Sequence, residues 1–217
     1  MLVKPGPIYL GATFVGIVLI SMHHLGRSFG DEIFLFLGLS PWVQMDGGSW
    51  HPPVIFGILL LIVGIRGAAR SYNHPKLAKR LIIGCILFAM VSPTVSKGVM
   101  FTVKYFASGI SSLDYTKEGS SCSTVQYSED VKELTTICTF TVYNYGEETN
   151  VRIRPIRLMN DDTIEFDFQS VELIPHQKNS VTAEYRVYAR DSTAFYSGRS
   201  NEIGAELELF GETKSDK

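Results

Sequence analysis

The chain has 217 residues, 45% hydrophobic and 19% charged, with a formal net charge of −2, which leaves room for one or two domains. The balance hides a split: residues 1–107 carry nine Lys/Arg against three Asp/Glu, a formal +6, and residues 108–217 carry eleven against nineteen, a formal −8. No basic patch is interleaved with aromatics on a soluble element, which argues against nucleic acid as a partner.

Residues 8–22 are apolar apart from Thr13 and Ser21. With Pro7 and the following His23-His24-Leu25, the run approaches the roughly 20 residues a spanning helix needs. A secretory signal peptide would want a small-residue cleavage site after the apolar core, and His23-His24-Leu25-Gly26-Arg27 offers none. An uncleaved first helix is expected. Residues 25–51 are harder to read. Asp31 is expected to cap a short helix over residues 32–39. That helix is too short to span and apolar all round, so an interfacial or re-entrant position covered by other helices fits it. Trp42 and Trp50 follow in a turn-rich stretch, and indole favours the headgroup level because its ring is apolar and its N–H is not.

Two longer apolar runs organise the chain. One opens at Pro52-Pro53 and reaches about Ala69, with proline tolerated at a helix start. The other is richest over residues 81–91. Between them lie Arg66, Arg70, Lys76, Lys79 and Arg80 and no acid, with Asn73-His74-Pro75 as a turn. Pro93 is expected to kink the third helix. Lys97 and Lys104, beyond it, share a face and read as lysines snorkelling to the headgroups.

Orientation follows from the excess of cations on cytoplasmic loops. The basic loop is assigned to the cytoplasm. The loop over residues 26–51, with Arg27 against three acids, is assigned to the outside. Three spans then put the N-terminus inside and residues 108–217 outside. That half holds Cys122 and Cys138, which in an oxidising compartment can form a disulfide. Two unrelated features thus agree.

Residues 108–119 read as a linker, and from there the apolar period becomes two. In residues 134–144, Cys138, Phe140 and Val142 share one face, and Ile137, Thr139, Thr141 and Tyr143 the other. A second strand over residues 149–159 contains Pro155, which suggests an edge or a bulge. Asn160-Asp161-Asp162 turns into a strand with Ile164, Phe166 and Phe168 on one face. Residues 180–189 point Val181, Ala183, Tyr185 and Val187 inward, and residues 203–210 align Ala205, Leu207 and Leu209. Strands at roughly 8–12-residue spacing argue for a sandwich of about seven strands. The expected organisation is therefore a transmembrane helical domain over 1–107, a linker over 108–119, an extracytoplasmic all-β sandwich over 120–212 and a polar tail over 213–217.

The stretch from Phe140-Thr-Val-Tyr-Asn-Tyr-Gly-Glu through Val151-Arg-Ile153 resembles the strand–turn–strand of bacterial immunoglobulin-like domains. The resemblance implies a fold class rather than an activity. The antibody-type Cys…Trp…Cys core is absent, since no Trp follows Trp50, and the two cysteines sit too close for the usual intersheet pair. They are expected to tie the first strand to its neighbour.

Chemistry-bearing residues are sparse. His23, His24, Asp31, Glu32, Asp46 and His51 collect near the outer face, and imidazole and carboxylate are metal ligands. No pair has a chelating spacing, and adjacent histidines on a helix point about 100° apart. Interfacial histidines and a capping acid are the plainer reading, with His23, His24 and His51 kept as metal candidates. Gly11, Gly16, Gly57 and Gly64 suit close helix approach. The β half holds one histidine, His176, and none of the G-x-S-x-G, H-E-x-x-H or P-loop motifs. Asp161-Asp162 lacks the acidic spacing of a calcium loop. Exposed aromatics among Tyr143, Tyr145, Tyr185, Tyr188, Phe195 and Tyr196 would suit a binding surface, with core positions the default.

The expectation is a multi-pass cell-membrane protein with no cofactor and no enzymatic activity. Its outer sandwich binds a protein partner or supports assembly of a membrane complex. The alternative makes the helical half the working part of a small transporter or redox subunit. The absence of any N-x-[ST] site leans toward a bacterial envelope.

Overall fold

Proline opens both of the first two long helices. In the computed structural model, which describes residues 5–45, 48–74, 76–126, 133–156, 166–188, 198–201 and 203–216, α1 runs Gly6–Ile20 and α3 runs Pro52–Tyr72, each with proline in its first two positions. Proline suits that place because the first helical N–H groups have no intrahelical partner. Between them, α2 spans Phe29–Phe36, and β1 (Val43–Met45) pairs with β2 (Gly48–Trp50). Asn73, in the left-handed region at φ 46°, ends α3, and α4 runs Leu77–Val103 through Pro93. Pro75 and Asp46 lie outside the described residues.

The chain divides into two compact units, Met1–Gly98 and Val99–Lys217, with the division inside α4. Two helices, α3 and α4, are long and apolar enough to cross a membrane. At 1.5 Å per residue, their 21 and 27 residues extend about 32 and 40 Å, against an apolar bilayer thickness of about 30 Å. The 15 residues of α1 extend only about 22 Å, so the first of the three expected spans is a shorter apolar helix.

In the first unit, α1 and α3 lie close together because glycine faces backbone. A Cβ on Gly16 would sit 2.8 Å from the Gly57 carbonyl oxygen, and one on Gly64 would sit 2.6 Å from the Thr13 nitrogen. Contacts between Gly6 and Tyr72 and between Gly67 and Tyr9 continue the seam, so the helices run antiparallel. Gly11, grouped with these from sequence, faces open space. By contrast, α4 buries only Ser92.

In the second unit, a short 3-10 turn (Gly109–Ser112) leads into β3 (Leu113–Gln126), which pairs with β4 (Glu133–Asn144). Strands β5 (Asn150–Ile156) and β6 (Gln169–Glu172) follow, then β7 (Gln177–Tyr188), β8 (Gly198–Asn201), β9 (Gly204–Leu209) and β10 (Glu212–Asp216). They form two antiparallel sheets, ordered β7-β4-β3-β8 and β10-β9-β5-β6. One core fills the space between them. Leu113, Tyr115, Cys138, Phe140, Val142 and Tyr185 come from the first sheet, and Val151, Ile153, Val171, Ala205, Leu207 and Leu209 from the second. Two buried phenols cross this core: Tyr115 donates to the Ile203 carbonyl and Tyr185 to the Ile153 carbonyl, each at 2.7 Å. Burial pushes the Tyr185 hydroxyl above its ordinary pKa.

Cys122 and Cys138 stand opposite each other on β3 and β4 and are joined by a disulfide. As expected, it ties adjacent strands of one sheet. Pro155 pairs with Ala205 of β9, and β6 stops opposite Ile153, so the proline occupies a locally open edge.

Three segments differ from expectation. Phe166 and Phe168, expected on one face of a strand, lie outside any strand, with Phe166 in the core and Phe168 against Arg152 and Arg154. Residues 113–119 belong to β3, where the register shifts between Thr116 and Ser121. Gly119 takes φ +79°, and the Ser120 hydroxyl fills the gap, donating to the Thr116 carbonyl and accepting from the Thr141 N–H. This bulge breaks the alternation, and the segment reads as a linker. Likewise, most of the polar tail is the edge strand β10. The turn at Asn160-Asp161-Asp162, Ile164, and Phe195 and Tyr196 lie outside the described residues.

Candidate functional site

The polar cluster of the helical unit is built on a capping box. Ser28, rather than Asp31, caps α2. The Ser28 hydroxyl accepts from the Asp31 N–H, and the Asp31 carboxylate accepts from the Ser28 N–H, both at 3.0 Å. The helix therefore starts three residues earlier than a cap at Asp31 implies. The second Asp31 oxygen lies 2.7 Å from His51 Nε2. His51 is the residue before α3, so this contact joins the starts of two helices. The Trp42 ring packs on the His51 imidazole with centroids 4.2 Å apart.

His23 and His24 are buried but engage other partners. His23 Nδ1 accepts from the Leu25 N–H at 3.2 Å, which puts the neutral ring's proton on Nε2, 3.4 Å from Glu32. Arg27 reaches the same Glu32 oxygen at 3.5 Å. The His24 N–H donates to the Ser96 hydroxyl at 2.9 Å, and the Ser92 hydroxyl donates to the Met22 carbonyl at 3.0 Å. Through these serines, α4 holds the turn at residues 22–24. The three histidines thus go to three different partners. Among the described residues, no three His, Cys, Asp or Glu side chains stand where they could share a metal ion. Trp42 and Trp50 are both exposed, and Arg66, Arg70, Lys76, Lys79 and Arg80 cluster in sequence around the end of α3 and the start of α4.

The second unit has its own cluster, at the end of the sandwich where β3, β5 and β7 begin. Asp114 is buried, and its two oxygens accept from Lys104 at 2.8 Å and Lys214 at 2.5 Å. Burial alone would raise its carboxyl; the two ammonium groups outweigh it and hold the group below the usual carboxylate value. Lys104, expected to reach headgroups, is thereby committed to Asp114, and it also lies 5.0 Å from the Tyr145 ring centroid. Tyr145 is fully buried. Desolvation, and then the Asp114 charge, push its hydroxyl well above its ordinary pKa. Phe101, in the last turn of α4, sets its ring edge against Tyr145 at 4.8 Å.

His176 stacks on Tyr105 at 4.2 Å and 9°. Its Nδ1 is 2.6 Å from the Tyr145 carbonyl, which only accepts, so Nδ1 carries the proton. Asn144 donates to the Glu148 and Ile174 carbonyls, and Asn179 accepts from the Ile174 N–H. The sequence singled out His176 and Tyr145 separately and missed Asp114, Lys214, Asn144 and Asn179. Their partners lie up to 101 positions away.

On the outer face of β5 and β9, Arg152 pairs with Glu208 at 2.8 Å and Arg154 with Glu206 at 2.7 Å. The Phe168 ring lies 5.3 and 4.5 Å from the two guanidinium carbons. A recess of about 380 Å³ is lined by Asp167, Gln169, Glu184, Tyr185 and Arg186. Comparison of the chain with protein-family models, curated proteins and solved structures finds no match.

Proposed function

We propose that this is a multi-pass membrane protein whose extracytoplasmic, immunoglobulin-like sandwich binds a protein partner or supports assembly of a membrane complex, without catalysis. The observation that carries the reading is the joining, in one chain, of apolar helices long enough to cross a bilayer to a disulfide-bonded β domain. A buried disulfide belongs to an oxidising compartment. The cations in the last turns of α3, in the first turn of α4 and at Lys76 between them favour the cytoplasm for that hairpin and so the outside for the sandwich. In this reading α1 crosses as well, its 15 residues accommodated by local thinning and by its close packing on α3.

The strand order supports the immunoglobulin-like class. In that fold's lettering, β3, β4 and β7 follow A-B-E, and β10, β9, β5 and β6 follow G-F-C-C′. The domain departs from antibody types in adding β8 beside β3 and in linking neighbouring strands with its disulfide. The partner face is taken as the outer side of β5 and β9, where two arginines flank an aromatic ring, residue types that dominate binding hot spots. A photo-crosslinking residue at position 168 in native membranes tests it. The expected outcome is one discrete adduct with a membrane protein, lost in R152E/R154E. Absence of any adduct in a folded variant contradicts it.

A second reading makes the helical half a working subunit of a transporter or redox complex. The pairing of His51 with Asp31 beneath Trp42 favours it. It predicts that H51A assembles normally into an inactive complex.

A further inference from the structure

We infer that the end of the sandwich carrying Phe106, Ile174 and Phe210 rests in the lipid headgroup layer, with these three side chains inserted among the lipids. The inference rests on the membrane-spanning reading of α4. All three side chains lie in the second unit, with exposures of 94%, 62% and 90%. A single exposed apolar residue means little, but three at the tips of separate loops at one end of a domain make a patch.

The strand register puts them there. Leu113, Asn144 and Gln177 are register partners at that end, and the Leu209–Glu212 turn presents Phe210 with φ 50°. A Cβ on Gly109 would lie 3.9 Å from Glu212, which brings the β9–β10 turn beside the start of β3. Tyr105 touches both the Phe106 ring and His176, two residues from Ile174.

What covers the patch follows from chain continuity. The last turn of α4 belongs to this same unit, with Phe101 seated on Tyr145 and Phe106 following three residues after the helix ends. From Leu81 to Val103, α4 extends about 35 Å, slightly more than the hydrocarbon core, with Lys97 as its one charge. Lys97 lies about 9 Å below Val103, within snorkelling reach of the headgroups. The end of α4 therefore lies at the membrane surface, and so does the end of the sandwich built around it. Lys104, the residue after α4 ends, is already held by Asp114. Exposed Lys178 shares this end with exposed Glu147 and Glu212, which outnumber it. Apolar insertion rather than attraction to anionic lipid is thus the holding force, and a zwitterionic bilayer suffices.

Trp fluorescence in the full chain tests this. In a W42F/W50F background, F106W and F210W are reconstituted separately into phosphatidylcholine vesicles containing lipid brominated near the headgroup. Ile137, exposed on a sheet face about 24 Å up β4 from Asn144 at about 3.4 Å per residue, gives the control I137W, and V91W reports on α4. The expected result is blue-shifted emission quenched by bromine for both Phe variants, with I137W unquenched. If V91W is quenched by lipid brominated deep in the acyl chain and both tip variants emit as in water, the docking fails while the spanning helix stands. If V91W also escapes deeply brominated lipid, both fail. Tip variants that stay wet in pure lipid but crosslink to a protein in native membranes would assign the patch to a protein and overturn the inference.

Discussion

Gly16 of α1 meets Gly57 of α3 backbone to backbone, leaving only 2.8 Å between the Gly57 carbonyl oxygen and the place where a Gly16 Cβ would stand. Nothing larger than hydrogen fits without separating the helices. In a bilayer, where lipid tails are as apolar as leucine, this close contact is what holds α1 to α3. G16L or G57L is expected to cost the helical half about 1–3 kcal/mol through overpacking, read as a lower melting temperature in detergent. G11A and G84A, both facing open space, are expected to leave it unchanged or to raise it by up to about 1 kcal/mol through helix propensity.

The Asp114 carboxyl is held below its ordinary value in the folded domain. A carboxyl depressed on folding contributes stability that is fully present above the unfolded value, near 4, and lost as pH falls through the lower folded one. The sandwich is therefore expected to lose stability below about pH 4, with D114N lacking that component. At neutral pH, D114N leaves Lys104 and Lys214 without their shared counter-ion. Breaking a buried pair costs about 3–5 kcal/mol, and because Lys214 is more than a third exposed the expected loss is nearer ~2 kcal/mol. Denaturant unfolding followed by tyrosine near-UV signal measures both effects.

Joining Cys122 to Cys138 closes a loop of 16 residues. Chain-entropy arguments give about 3 kcal/mol for a loop of that size. The C122A/C138A protein is expected to unfold at correspondingly lower denaturant, with the β-sheet signal intact before the transition. An unchanged midpoint would count against the loop-closure account.

His51 and Ser28 both act through Asp31. H51A is expected to cost about 1–3 kcal/mol by leaving the carboxylate underpaired, and S28A about 1 kcal/mol by removing the cap. Because they share a partner, their effects should not add. Thermal unfolding followed by Trp42 emission in a W50F background reads out both, since that ring rests on His51.

Elements whose signal is local were readable from sequence. The apolar runs of α3 and α4 and the alternation of Cys138, Phe140 and Val142 need no distant partner to be seen, and sixteen positions between the cysteines is too close for the usual intersheet pair, which leaves neighbouring strands. Features set by distant contacts were not. Ser28 and Asp31 are both cap-forming types, and only the reciprocal hydrogen bonds show which one starts the helix. The first half of β3 hid behind a bulge, and β10 behind the polar residues of an edge strand. Lys104 looked like a headgroup lysine because its partner, Asp114, lay in the stretch taken for a linker. Lys214, which completes that cluster, stands 100 positions from it, and Gly67 could not be told from any other helix glycine without Tyr9 opposite.

The side of the membrane on which the sandwich sits decides the rest of the account. In a C85A background only Cys122 and Cys138 remain, so a bilayer-impermeant maleimide added to intact, mildly reduced cells reports on that half alone. Labelling without permeabilisation, blocked when reduction is omitted, is the result expected of an outward-facing, oxidised domain. Labelling that needs permeabilised cells, or that needs no reductant, contradicts it.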